Sequence, residues 1–198
     1  MFIEVALSKK ARVKRSLIYG VGVTDVWYKT EYIDAFKHRH VCPFYKKWVA
    51  MHKRCYSQSY LRDNPTYDKV KVCCSWHCFS VFRAWMVQQD WVGKELDKDI
   101  LGDGTLYSPE TCALVSHATN CLFLGAEVTG VTWCKTRKRY LAQCSREGKN
   151  KVIGRYKTIK EAKEAYCVYK AAIILGQALK ESDNRVKEKL TELATIFV

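Results

Sequence analysis

The chain has 198 residues, room for one large domain or two small ones, and 13% of them are aromatic, enough for a packed core. With 34 Lys+Arg against 20 Asp+Glu the formal charge is +14, which favours polyanionic partners and salt-dependent binding and is silent about fold. No apolar run approaches the roughly 18 residues that span a bilayer, and residues 1–18 lack the apolar block of a secretory signal, so membrane and exported proteins are set aside.

Residues 1–41 read as basic and strand-like around a Gly20–Gly22 turn, with Lys9, Lys10, Arg12, Lys14 and Arg15 on a basic arm or edge strand. Pro43 opens a helix on which Tyr45, Trp48, Met51 or His52, and Cys55 recur at helical spacing. After a loop with Pro65 and a short strand at 70–74, Trp76, Phe79, Phe82, Trp85 and Met86 mark an amphipathic helix ending near Gly93. These aromatics are read as core. Ten cysteines without a Cys-x-x-Cys pair point to free thiols in a reducing cytosol. Cys73, Cys74 and Cys78, beside His77, are the densest group. A structural zinc on Cys55, Cys73 and Cys112 is the alternative use.

Residues 93–125 change character, with Glu95, Asp97, Asp99, Asp103 and Glu110 against two lysines. The pattern predicts a strand at 96–101, a turn at Gly102–Gly104, a strand at 112–115 and a helix capped by Ser116, with Asn120 one turn in. Carboxylates clustered in a strongly basic chain invite a divalent metal. Mg²⁺ (or Mn²⁺) is held by one or two carboxylates, with water and phosphate completing the shell. Asp97 and Asp99 would share a strand face, and Asn120 could approach from the helix. The bland reading is a solvated acidic hairpin.

Between Gly130 and Lys170 stand twelve Lys/Arg and three Glu. Trp133, Lys135, Arg137, Arg139 and Tyr140 interleave in strand-like text, Gly148 marks a turn, and residues 152–156 form a further strand. Thr158 caps a helix with Ala162, Ala165, Tyr166, Tyr169, Ala172 and Ile173 on one face. From about Gly176, Leu179, Val186, Leu190, Leu193 and Phe197 predict a tail helix that packs on the body or on a second copy as a homodimer contact.

The text Gly130-Val131, Lys135, Arg139-Tyr140-x-Ala142, Gly148-Lys149, Ile153-Gly154-x-Tyr156-x-Thr158 and Glu161-Ala162-x-x-Ala165-Tyr166 resembles the plant APETALA/ethylene-response-factor DNA-binding domain, also a mobile module of phage endonucleases. The resemblance implies a three-stranded sheet in the major groove of double-stranded DNA. Trp133, Lys135, Arg137, Arg139, Tyr140 and Arg155 would be its DNA-binding residues. Residues 94–122 are similar to the variant His-Asn-His (HNH) motif of phage-encoded homing-type endonucleases. The upstream text agrees with that likeness through Tyr45-x-x-Trp48-x-x-Met51, Arg54-Cys55-Tyr56, Val72-Cys73-x-x-Trp76 and Phe79-x-x-Phe82-x-x-Trp85-Met86.

That second resemblance implies Asp97 and Asn120 as metal ligands, with Tyr107, Pro109, Glu110 and Cys112 as scaffold. Two departures stand out. The usual general-base His is replaced by Lys98-Asp99, so Lys98 would clamp phosphate, Asp99 would hold metal or orient water, and His117 is the nearest imidazole. Gly104-Thr105 replaces the Asn of the turn.

The expected architecture is therefore α+β. It has a ββα-metal (HNH-like) nuclease region at 1–125 with flanking helices, a three-stranded antiparallel sheet packed on one helix at 126–175, and a C-terminal helix at 176–198. The expected function is a metal-dependent DNA endonuclease acting in the cytoplasm of a bacterial host, on nucleoid-associated DNA. A degenerate DNA-binding regulator is the other reading, and a phage protein that engages host machinery through its aromatic N-terminal half is a third.

Overall fold

The computed structural model describes residues 2–13, 15–123, 130–146 and 149–197, without the side chains of residues 12, 13, 146 and 149. Lys14 of the basic arm, the Gly148 turn and the boundary at 125/126 fall outside them. Among the described residues the fold is mixed α+β, with seven helices and four small sheets. None of those helices is long and apolar enough to cross a membrane.

The N-terminal half runs α1 (Lys9–Val13), a hairpin of β1 (Glu31–Ile33) and β2 (Arg39–Val41), α2 (Pro43–Tyr56), α3 (Gln58–Asp63), β3 (Lys71–Val72) and α4 (Phe79–Val87). The arm predicted as a strand is instead a short helix and a strap. The Arg15 guanidinium donates to the carbonyls of Thr24, Val26 and Tyr28 at 2.7, 2.8 and 2.7 Å, so it fastens coil that has no sheet of its own.

Helix α2 forms as its spacing predicts. Pro43 sits in the first turn, where a missing N–H costs nothing, and Trp48, Met51, His52 and Cys55 are buried. They meet Trp76, Phe79, Phe82 and Met86, and Trp48 Nε1 donates to Trp76 O at 2.7 Å, so the indole is satisfied inside the core. The helix expected through Gly93 ends at Val87, and Trp76 lies in a separate 3-10 turn, Cys74–His77.

The second half runs β4 (Glu95–Asp97), β5 (Leu106–Tyr107), β6 (Ala113–Val115), α5 (His117–Phe123), β7 (Val131–Cys134), β8 (Arg139–Arg146), β9 (Lys149–Tyr156), α6 (Ile159–Ala178) and α7 (Asn184–Thr195). Strand β6 pairs antiparallel with β4 and is buried on both faces, so its alternate residues serve different cores. Leu114, with the preceding Cys112, joins the N-terminal core. Ala113 and Val115 join a second core with Ala142, Tyr166, Ile174, Leu190 and Phe197.

Strands β7, β8 and β9 form the predicted three-stranded antiparallel sheet, and α6 packs on one face. Helix α6 starts on a capping box in which Glu161 N donates to Thr158 Oγ1 at 3.2 Å and Glu161 Oε2 accepts from Thr158 N at 3.0 Å. It continues through Gly176 to Ala178, past the expected break. Beyond Tyr166 its buried stripe moves to Ala171 and Ile174, leaving Ala172 exposed, because α7 and not the sheet covers this half. The apolar stripe of α7 (Val186, Leu190, Leu193, Ala194) is buried in the same core, so this stripe packs within the chain.

Candidate functional site

Strand β4 is shorter than expected because Asp97 ends it. Asp97 Oδ1 accepts the N–H groups of Asp99 at 2.9 Å and Ile100 at 2.8 Å, a side-chain turn that competes with the ladder. Asp97 is 7% exposed, and burial raises its carboxyl above the usual range while those two bonds and Lys98 oppose the shift. Its Oδ2 accepts no hydrogen bond among the described residues. Lys98 is also buried. Its Nζ donates to Asp99 Oδ1 at 2.6 Å and lies 5.1 and 5.8 Å from the ring centres of Tyr67 and Tyr107. Gly104, at φ +79°, closes the following turn. A Cβ there would stand 2.5 Å from Asp99 Oδ1.

Ser116 caps α5 as expected, accepting Thr119 N at 3.1 Å, and Asn120 N donates to Ser116 O at 3.0 Å. Asn120 Nδ2 donates to Glu95 Oε2 at 3.0 Å, which leaves its Oδ1 available as an oxygen donor. His117 is turned elsewhere. Its Nδ1 meets Glu95 Oε1 at 3.1 Å and its Nε2 lies 3.5 Å from Cys121 Sγ, with the side chain 77% exposed. The Asn120 bond, together with the His117 bond, holds the Glu95 carboxyl below its ordinary value.

Asp97, Lys98, Asp99 and Asn120 line one cavity of about 630 Å³, and His117 does not. The opposite wall is a stripe of α2: Pro43, Lys46, Lys47, Ala50, Met51 and Arg54, with Tyr67, Tyr107, Glu95 and Leu96 completing the lining. Glu95, Lys46 and Arg54 are absent from the candidate set read from the sequence. For Lys46 and Arg54 the available signal was their separation by eight residues, two steps of four along α2, masked by the stronger apolar stripe on the same helix.

All ten cysteines are free. Burial pushes the Cys55 and Cys112 thiols each up to about 12, which keeps them protonated. Among the described residues no three His, Cys, Asp or Glu side chains gather as a metal cage, so Cys55, Cys73 and Cys112 are not brought together as a zinc site.

On the basic sheet the register sorts the predicted DNA-binding residues by face. Trp133, Tyr140 and Tyr156 are mutually opposite, as are Thr132, Leu141 and Arg155, while Cys134 pairs with Arg139. Val131, Ala142 and Gly154 form the row two positions from that of Trp133, with the Thr132 row between, and Ala142 is buried under α6, so the Trp133 row shares the helix side. Trp133 packs against Tyr140 there, ring centres 4.7 Å apart and planes tilted by 60°, and is 49% exposed. The open face carries Arg139 and Arg155. Lys135 and Arg137 are exposed in the β7–β8 turn. Gly130 enters this sheet so closely that a Cβ would lie 1.9 Å from Gln143 O.

Comparison with protein-family models, curated proteins and solved structures yields no match for this chain.

Proposed function

We propose that the chain is a DNA endonuclease of the His-Asn-His type that hydrolyses phosphodiester bonds with Mg²⁺ or Mn²⁺, while the β7–β9 sheet holds double-stranded DNA. The supporting observation is that Asp97, Asp99 and Asn120, from a strand, a turn and a helix, line a single cavity. A hard divalent ion takes one or two carboxylates and fills its shell with water and phosphate oxygens. Asp97 Oδ2, the Asp99 carboxylate and Asn120 Oδ1 provide that donor set. Bound there, the ion supplies Lewis-acid stabilisation of the charge that grows on phosphorus-bound oxygens. Asp97 fits this role physically, since it is buried without an ion pair among the described residues and gains from a nearby cation.

The chain's own residues then divide the work. Lys98, beside the Tyr67 and Tyr107 rings, presents its ammonium at the cavity wall to the phosphate. Asp99 has one oxygen on Lys98 and the other unengaged among the described residues, and it orients the attacking water. Glu95 holds Asn120 in place and keeps His117 outside the cavity. Arg139 and Arg155, on the open sheet face, position the duplex through its backbone and base edges. The reaction belongs in the cytoplasm of a bacterial host, where the DNA is.

A second reading, a DNA-binding regulator that does not cut, is favoured by two observations. Lys98 neutralises Asp99 directly, and His117 faces Cys121 instead of the cavity. Supercoiled plasmid incubated with the purified chain and Mg²⁺ separates the readings. Nicking that EDTA abolishes supports the first. Duplex binding with intact plasmid in both Mg²⁺ and Mn²⁺ supports the second.

A further inference from the structure

We propose that the α2 wall of the cavity is a strand-binding track, on which Lys46 and Arg54 hold two separate phosphates of one nucleic-acid strand. The inference rests on the cleavage reading and deepens it by assigning to two residues of α2 the contacts that hold the substrate strand along this cavity.

Three observations carry it. Arg54 lines the cavity half-buried, and its one hydrogen bond among the described residues is Nη1 to Tyr107 Oη at 3.3 Å. No carboxylate among the described residues pairs with it. A guanidinium keeps its charge at any working pH and has five N–H donors in a fork that suits phosphate oxygens. A partly desolvated cation without a counter-ion is costly, and an anionic ligand relieves that cost.

Second, the other cations of the cavity are already engaged. Lys47 Nζ donates to Lys94 O, and burial lowers its ammonium below the usual range. Lys98 is paired with Asp99. Lys46 is exposed and has no such commitment among the described residues, so the cations left for a ligand are Lys46 and Arg54.

Third, the spacing fits a strand. Residues 46, 50 and 54 stand four apart on α2, one above another on a single helix stripe. Eight residues at about 1.5 Å rise set the two cations about 12 Å apart, further than one phosphate reaches. Ala50 between them is small and lets a sugar-phosphate backbone lie close to the helix. Asp97 and Asp99 face this track across the cavity and repel a strand, so the track supplies the attraction that the acidic wall lacks.

The test is fluorescence anisotropy with a labelled 12-nucleotide single strand in EDTA, using full-length chain that carries Arg139→Ser and Arg155→Ser to weaken the sheet. In this background residual binding persists. Lys46→Ser and Arg54→Gln each lower affinity several-fold and reduce the slope of log K against log salt by about 0.7, the single-strand increment per phosphate. Arg54→Lys recovers part of the loss. Inorganic phosphate and a mononucleotide compete only weakly. Because EDTA removes cleavage, a chain that binds this way and does not cut upholds the track while the nuclease reading falls.

No residual binding in that background overturns the proposal. So does an unchanged salt slope in both variants, or competition by a mononucleotide as strong as by the oligonucleotide. Lys46 is exposed, so its variant decides the question even where Arg54→Gln disturbs folding.

Discussion

Gln177 Nε2 donates to Thr119 Oγ1 at 2.9 Å, tying the helix under the basic sheet to the residue that precedes Asn120. The bond is buried and belongs to a network in which Gln177 also donates to Ser116 Oγ at 3.3 Å and Thr119 Oγ1 donates to Glu181 Oε1. Arg185 adds bonds to the carbonyls of Pro109, Glu110 and Cys112 at 3.2, 3.2 and 3.3 Å. The sheet module and the helix that carries Asn120 are therefore joined by satisfied polar contacts in addition to the shared core. Gln177→Leu removes one donor from this network, whose other bonds remain, a loss of about 0.5–1.5 kcal/mol. Urea unfolding should show a lower midpoint with an unchanged slope, and a midpoint equal to the parent's contradicts the coupling.

Asp97 is predicted to trade stability for function. Burial raises its carboxyl above the ordinary carboxylate value, so the folded chain holds a proton there after the unfolded chain has lost it. Stability then falls as pH rises from the unfolded value through the raised one, and the penalty is fully present above the raised value. Asp97→Asn keeps the acceptor for Asp99 N and Ile100 N and removes the charge. Without divalent metal its thermal midpoint at pH 7 should lie above the parent's. With Mg²⁺ the parent should gain stability and the variant should not. A lower midpoint for the variant in EDTA contradicts this account.

His52 predicts the opposite slope. It is fully buried between Trp48 and Tyr56, its Nε2 has no partner among the described residues, and burial lowers it from 6.5 to about 4. The unfolded chain takes up a proton first as pH falls. The neutral-imidazole stability is complete above 6.5, declines below it and is lost as pH passes about 4. The span corresponds to about 3 kcal/mol. Urea titrations of the parent and of His52→Phe at pH 7 and pH 4.5 should show a shallower pH dependence in the variant, and equal slopes would sink the assignment.

The sheet faces predict different phenotypes for neighbouring residues. Arg139→Ala and Arg155→Ala should each weaken duplex binding and flatten its salt dependence by about one phosphate's worth. Trp133→Ala, which removes a ring packed against Tyr140 at the helix side, should lower the thermal midpoint and leave the salt slope unchanged. A salt-slope loss for Trp133→Ala equal to that of Arg155→Ala contradicts the assignment of faces.

Much of this was legible in the chain because local rules coincided with the fold. Pro43 and the Trp48–Cys55 spacing placed α2, Thr158 and Glu161 placed the start of α6, and Ser116 placed α5. The errors came where side chains overrode periodicity. Asp97 reads as a strand residue by alternation, yet its carboxylate captures two backbone N–H groups and stops the strand. Trp133 reads as a contact by its place in a basic run, and only the cross-strand register shows which face it takes. Lys46 and Arg54 were hidden because their role depends on which element packs opposite α2, and that is a tertiary fact.

The central claim is that the basic sheet holds duplex DNA and the cavity cuts it, with Asp97 serving only the cutting. One sample measures both: a gel shift on duplex DNA in EDTA and nicking of supercoiled plasmid in Mg²⁺, for the parent, Asp97→Asn and Arg139→Ala with Arg155→Ala. The account predicts that the parent binds and nicks. Asp97→Asn should bind at least as tightly and not nick, and the arginine variant should lose affinity first. A parent that binds duplex DNA and leaves plasmid intact in both Mg²⁺ and Mn²⁺, or an Asp97→Asn chain that nicks as fast as the parent, contradicts it.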